Sequence, residues 1–378
     1  MQDTGAHTGA PPPVRTRGLA IEEWGTAMKV NGVDYRTVWM RGGVVRMIHQ
    51  QLLPHEFAII DLPTHRDTAE AIRTMVVRGA GAIGAAAGYG MAQVVLEAPD
   101  GAGFEEYLAR GAETLRRTRP TAQDLFYAVR RVLAAAQAAG SVDAARRAAV
   151  AEAEALADEN AAAGEAIGRH GADLIPDGAR VLTHCNAGWL AFVDWGSALA
   201  PIYAAARQGK RVFVYADETR PRCQGAMLTS WELHGEGIDH AIIADNAAGF
   251  LMRRGEIDLV IVGSDRIAAN GDVANKIGTY EKALCAAANG VPFYVAAPTS
   301  TIDPDCASGD DIPIEERSPD EVLYISGKTD AGQVCRVRIA PEGVQARNPA
   351  FDVTPAQYVR AIITEHGVHA TDALPRPR

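Results

Sequence analysis

The sequence predicts an α/β protein: a Rossmann-like parallel-sheet C-terminal domain preceded by a smaller, mainly helical N-terminal domain that carries a β-hairpin. Three observations lead there. Beyond residue 178 the short apolar runs RVLTHC, RVFVYAD, HAIIAD, DLVIVGSD and PFYVAAP alternate with helical stretches, the pattern of parallel strands joined by crossover helices. Before them lie Ala-rich segments whose apolar residues recur at helical spacing. From Tyr35, YRTVWM and GVVRMIH flank Gly42-Gly43 and read as a hairpin.

In chain order, residues 1–18 are rich in Gly, Pro, Thr and Arg without hydrophobic period and are expected to form a flexible tail. The N-terminal domain is expected over 19–150 and the α/β domain over 151–378. Residues 67–77 read as a helix capped by Asp67. Segments 103–117, 121–138 and 142–171 read as further helices, the second opened by Pro120-Thr121 and the third broken near Gly164. After Pro176-Asp177-Gly178 the strands begin, 308–352 is rich in turns and charge, and 354–366 reads as a last helix.

A chain of 378 residues with 47% hydrophobic and 22% charged residues has the make-up of a globular enzyme with a sizeable core. Its net charge of -10 argues against nucleic-acid binding by the surface as a whole. An anionic substrate would need a local convergence of Arg, Lys and backbone N–H groups. No apolar run reaches the roughly 18 to 20 residues of a membrane span, and the first residues lack a secretory apolar core, so a cytoplasmic protein is expected. The five cysteines, at 185, 223, 285, 306 and 335, contain no C-x-x-C pair and suggest neither a disulfide framework nor a zinc site.

In open parallel sheets, ligands sit beyond the carboxyl ends of the strands. Cys185 ends the first run, Asp217 and Glu218 the second, Asp245 the third and Asp265 the fourth. Asp245 by itself reads equally well as a helix cap. The stretch R-G-A-G-A-I-G at 78–84 contains G-x-G-x-x-G, but the segment before it reads as a helix, which argues against a dinucleotide fingerprint. It suits a Gly-rich loop presenting Arg78 and backbone N–H groups to an anion, or close helix packing. Arg119, at the start of the next helix, would be a second phosphate donor.

T-H-C-N-A-G at 183–188 sets Cys185 between a strand and a Gly-containing turn leading into a helix, where a thiolate is favoured; inert packing is the other reading. His184 points to the opposite face and cannot serve that thiol as a base. In D-E-T-R-P-R-C-Q-G, Gln224 suits sugar hydroxyls, Arg220 is expected to pair with Asp217 or Glu218, and Cys223 to pack. G-S-D-R-I-A-A-N-G-D-V-A-N-K places Asp265 after a buried strand and Asn275-Lys276 at an expected helix start. A carboxyl held away from water is a general acid, and the ammonium suits a phosphate. The spacing departs from a calcium loop, and no metal site or cofactor motif emerges.

Together these blocks, with R-P-T-A at 119–122 and N-P-A-F-D-V-T-P at 348–355, resemble the methylthioribose-1-phosphate isomerases, over about Tyr35 to Val368. The resemblance implies a homodimer that converts an aldose 1-phosphate into a 1-phosphoketose, part of methionine salvage. It implies substrate contacts from Arg78, Gly79, Ala80, Arg119, Gln224, Asn275 and Lys276. Asp265 would give a proton to the ring oxygen, and Cys185 would stabilise or relay charge as hydrogen moves between C2 and C1.

The sequence departs from the family pattern at R-G-A-G, where R-G-A-P is more usual, and at C-N-A-G-W, where C-N-T-G precedes a smaller residue. Trp189 and F-V-D-W at 192–195 are expected to reshape the pocket for the 5-substituent. Ribose 1,5-bisphosphate and 5-deoxyribose 1-phosphate are the alternative substrates. No second cationic cluster is legible, which favours a neutral 5-substituent. A non-catalytic reading also stands, because regulatory subunits of the eukaryotic translation initiation exchange factor are similar in outline.

Overall fold

The computed structural model describes residues 28–120 and 122–375. The expected tail and Thr121 lie outside them. Two short hairpins come first among the described residues: β1 (Met28–Val30) with β2 (Val33–Tyr35), then β3 (Val38–Arg41) with β4 (Val44–Ile48), which turns at Gly42-Gly43 as the sequence predicts. A strand not foreseen, β5 (Ile59–Leu62), completes a three-stranded antiparallel sheet.

Helices follow: α1 (His65–Arg73), α2 (Ala80–Glu97), α3 (Phe104–Arg116), α4 (Gln123–Gln137) and α5 (Val142–Ala172). Asp67 is not the cap of α1. Thr64 is, and Asp67 closes a capping box with it from the third helical position. Pro120 stands before α4 instead of inside its first turn. Nor does α5 break at Gly164. A Cβ there would lie 2.8 Å from the Gly196 oxygen and 2.9 Å from the Trp195 Cβ. The glycine therefore buys closeness between α5 and that loop, not a bend. The apolar faces of α1–α5 and of β3 and β4 share one core, in which Val38, Met91, Leu108, Leu125 and Val132 are fully buried.

The second half begins with β6 (Ala179–Thr183), α6 (Ala200–Arg207), β7 (Val212–Asp217), α7 (Ser230–Gly235), β8 (His240–Ile243), α8 (Ala248–Arg253) and β9 (Leu259–Val262). It continues through β10 (Arg266–Ala268), β11 (Val273–Lys276), α9 (Thr279–Asn289), β12 (Phe293–Ala296), β13 (Ile302–Asp303) and α10 (Asp320–Leu323). A hairpin of β14 (Tyr324–Lys328) and β15 (Val334–Arg338), then β16 (Phe351–Thr354), β17 (Ala361–Thr364) and β18 (Gly367–His369), ends the chain. The main sheet runs β18-β17-β12-β9-β6-β7-β8, parallel except for β18. Its parallel part has the doubly wound order, and the direction of winding reverses between β6 and β9.

The expected last helix is a correction. After Pro355 only a short turn, Ala356–Tyr358, precedes β17, whose four residues are all buried beside β12. A slot open on the sheet outweighs the local helical reading. A four-stranded sheet, β13-β10-β11-β16, stands over the carboxyl edge of the main one. It takes Asn275 and Lys276 onto β11, so they do not start a helix; α9 begins three residues later. Among the described residues no helix is long and apolar enough to cross a membrane.

Candidate active site

The winding reversal puts Cys185, just past β6, and Asp265, just past β9, on neighbouring strands at one edge of the sheet. The intervening crossovers leave a crevice there. It forms a cavity of about 380 Å³ whose lining includes the expected catalytic and substrate-contact residues Arg78, Gly79, Ala80, Arg119, Cys185, Gln224, Asp265, Asn275 and Lys276.

Cys185 holds a left-handed backbone, φ 65°, unusual for a residue with a Cβ. Two hydroxyls secure it: its N–H donates to Thr219 Oγ1 at 2.8 Å, and its carbonyl accepts from Thr229 Oγ1 at 2.7 Å. The chain beyond it does not enter a helix at once; it makes a tight turn at Trp189–Ala191 and reaches α6 only at Ala200. The helix N-termini at the cavity are instead those of α2 and α4. Gly79 precedes α2 at φ 91°, and no side chain caps the first turn. A Cβ on Gly79 would lie 2.4 Å from the Ala191 Cα, so glycine alone lets this N-terminus reach the cavity wall.

Asp265 is exposed to the space of the cavity that it lines, while the surrounding walls still take its carboxyl partly out of water. Burial raises its pKa above the usual carboxylate range, while Lys276, Arg317, Arg78 and Arg119 pull it back. Lys276 donates to the Ala350 carbonyl at 2.9 Å and lies 4.9 Å from the Phe351 ring centre. Burial, reinforced by Arg317, pushes its ammonium down to about 8, against the pull of Cys185 and Asp265. Its charge is therefore present below that value and lost as pH rises through it. The KM for a phosphorylated substrate is expected to climb above about pH 8, and Lys276→Arg to abolish that climb; an unchanged profile in the variant would refute the assignment.

Several lining residues were missed in the sequence. Arg222 and Arg317 add two cations, each with an acid of its own: Arg222 Nη1 to Glu321 Oε1 at 2.8 Å, Arg317 Nε to Glu315 Oε1 at 3.2 Å. The absence of a second cationic cluster was thus a wrong expectation. Arg317 sits in a turn-rich stretch with no pattern to single it out, whereas Arg222 belongs to the D-E-T-R-P-R-C-Q-G segment, in which Gln224 was the residue expected at the substrate. Asp124, in the first turn of α4, also faces the cavity, and burial lifts its carboxyl to about 6 despite a hydrogen bond from Ser300. Trp189 does not shape this pocket. It is 2% exposed, its ring centre 6.0 Å from that of Trp231 in the core; Ala191 and Phe192 line the cavity instead.

The loop after β7 also differs from expectation. Arg220 pairs with neither Asp217 nor Glu218, and donates to the carbonyls of Pro221 and Val322. Asp217, fully buried, accepts from His184 Nδ1 at 2.8 Å and faces Lys282 Nζ at 3.6 Å. His184 thus points away from Cys185, and its other nitrogen meets the Ile277 carbonyl at 2.9 Å. Asp245 is no helix cap: its carboxylate accepts the N–H groups of Thr219 and Arg220. His184, Asp217 and Asp245 lie close enough to hold a metal ion. His184, Asp217 Oδ2 and Asp245 are engaged by one another, by backbone groups and by the Lys282 ammonium, whereas Asp217 Oδ1 is buried without a hydrogen-bond partner.

The sequence matches the family model described as the initiation factor 2 subunit family over residues 76–371. This chain belongs to the initiation factor 2 subunit family. Within the family it is 51% identical over 357 residues to the methylthioribose-1-phosphate isomerase of Cereibacter sphaeroides, covering 92% of this chain and 96% of that one. It is 54% identical over 345 residues to the enzyme of that name from Syntrophotalea carbinolica, covering 90% and 96%. Among solved structures of the family, the 5-methylthioribose 1-phosphate isomerase of Pyrococcus horikoshii superposes with a TM-score of 0.81 at 43% identity, covering 92% of this chain and 96% of that one. The A. fulgidus protein described as translation initiation factor eIF-2B, subunit delta, superposes with a TM-score of 0.77 at 42% identity, covering 89% and 96%.

Proposed function

We propose that this chain isomerises 5-methylthioribose 1-phosphate to 5-methylthioribulose 1-phosphate in methionine salvage, as a homodimer in the cytoplasm. The observation that carries the reading is one cavity, at the winding reversal of the sheet, uniting Cys185 and Asp265 with a cationic wall. The kinship with isomerases at about half identity over nine-tenths of the chain supports it. We also propose the division into a helical unit over 19–150 and an α/β unit over 151–378.

In this reading Arg78, Arg119, Lys276 and the N–H groups at the start of α2 hold the phosphate, and Gln224 and Asn275 meet sugar hydroxyls. The anomeric oxygen of the substrate carries the phosphate, so no free aldehyde can form, and the bond from C1 to the ring oxygen must break to leave an electron-poor C1 that still bears the phosphate. Asp265, whose pKa burial raises, gives its proton to that oxygen as the bond breaks. The dianionic phosphate adds negative charge nearby and shifts the acid further toward its neutral form. Hydrogen then passes from C2 to C1, the C2 hydroxyl loses its proton to become the ketone, and Cys185 stabilises or relays the charge. C1 is reduced as C2 is oxidised, so the reaction balances within the substrate.

Arg222 and Arg317 favour keeping ribose 1,5-bisphosphate beside 5-deoxyribose 1-phosphate as alternative substrates. The likeness to the A. fulgidus initiation-factor subunit favours keeping a regulator that binds sugar phosphate without turnover. The test is ketose formation by the full chain from each of the three sugar phosphates. Turnover fastest with the methylthio sugar is expected. Faster turnover of the bisphosphate would shift the substrate, and tight binding without turnover would establish the regulator.

A further inference from the structure

The reaction just described makes no use of Glu232, a carboxylate on α7 that is 1% exposed and does not line the cavity. It is nonetheless among the best-served acids in the molecule. Its Oε1 accepts from Asn186 Nδ2 at 2.8 Å and from the Leu190 N–H at 3.3 Å. Its Oε2 accepts from the Trp189 N–H at 2.9 Å and from the Tyr203 hydroxyl at 2.6 Å.

The Asn186 amide lies between this acid and Arg78. Its Nδ2 is turned to Glu232 and to Thr229 Oγ1, so its Oδ1 faces Arg78 Nη1, while its backbone carbonyl accepts from Arg78 Nη2 at 2.8 Å. A reversed amide would set oxygen against carboxylate and NH₂ against guanidinium, two repulsions in place of two bonds. The carboxylate therefore decides which way the amide faces, and the amide oxygen holds one guanidinium nitrogen while the backbone carbonyl of the same residue holds a second. A buried acid is a poor way to gain stability compared with apolar packing, which fits a role in orientation.

We propose that Glu232 is a positioning residue that acts through Asn186 to aim Arg78 at the anion in the cavity, a role that rests on Arg78 being an anion-binding residue. Arg78, the acid and the amide come from three separate parts of the chain, α7 supplying the acid and the turn after Cys185 the amide. The same carboxylate holds that turn through two N–H groups, so it steadies the segment that follows Cys185 as well.

The test uses the full chain and two readouts: inorganic phosphate binding by calorimetry, and KM against kcat for the sugar phosphate. Glu232→Gln is expected to weaken phosphate binding by about tenfold, the worth of one charge-assisted hydrogen bond, and to raise KM more than it lowers kcat. In an Arg78→Ala background the same change should cost nothing further. Asn186→Ala, which cuts the link at its middle, should reproduce the loss should Glu232→Gln fail to fold. Tyr203→Phe takes a donor from the same carboxylate without touching Asn186, and should lower the melting temperature while leaving phosphate affinity intact. A Glu232→Gln protein that melts lower but binds phosphate normally would overturn the proposal, as would an undiminished loss in the Arg78→Ala background. Normal phosphate binding by Arg78→Ala would overturn it differently, by removing Arg78 from anion binding. Turnover by the wild type is read separately, so a failure of the isomerase assignment is seen apart from all of these.

Discussion

Asp265→Asn is expected to lower kcat for the sugar phosphate by about a thousandfold, within the usual range for a lost general acid. The amide keeps the shape of the carboxyl and has no proton to give to the ring oxygen. Phosphate affinity should hold, because Arg78, Arg119 and Lys276 remain. The pH dependence has a definite sign. Burial raises the Asp265 pKa, so the competent neutral acid is present at low pH and lost as pH rises through that raised value. Wild-type kcat should fall on the alkaline side, and the residual rate of the variant should not follow that limb. A variant with wild-type kcat would remove Asp265 from the chemistry.

Cys185→Ala is expected to cost about a hundredfold or more in kcat, on the scale of losing one group that stabilises charge in the transition state. The structural cost should be small, because both hydroxyls that hold this residue bond to its backbone and not to its sulfur. Alanine at φ 65° also meets no greater backbone strain than cysteine does. Inorganic phosphate should still bind, because Arg78, Arg119 and Lys276 remain in the cavity wall. Rapid-quench measurement of a single turnover separates this loss from slower product release. Equal single-turnover rates in the two proteins would assign the sulfur to packing.

Much of this architecture could be read from pattern because its signals are local. Five of the strands of the main sheet announce themselves as short apolar runs, and Cys185 and Asp265 stand at the ends of two of them. What failed is what depends on partners far along the chain. Residues 361–364, A-I-I-T, carry a β-branched signal too short to stand out from the helical spacing around it, and they pair as a strand along the edge of β12. Asn275 and Lys276 lie on β11 because β10 and β16 pair with it from both sides. Arg317 reaches the cavity from a segment without periodicity, and Asp217 chose His184 and Lys282 over the arginine three residues away. Gly164 looked like a breaker because its neighbour across the packing, the loop around Gly196, is invisible from position 164.

The placement of Cys185 and Asp265 beyond two hydrogen-bonded strands means that the sheet is the gauge of their separation. Neighbouring strands keep a spacing of about 4.8 Å whatever the surrounding segments do. Arg78, Arg119 and the start of α2, by contrast, come from the helical half of the molecule, Arg222 and Arg317 from loops, and Gln224 from the helical turn leading into α7. Substitution or movement among those outer groups can refit the cavity to another phosphorylated sugar without altering the distance across which the chemistry operates. The architecture thereby uncouples what is recognised from how it is transformed, and leaves the first free to drift while the second is held.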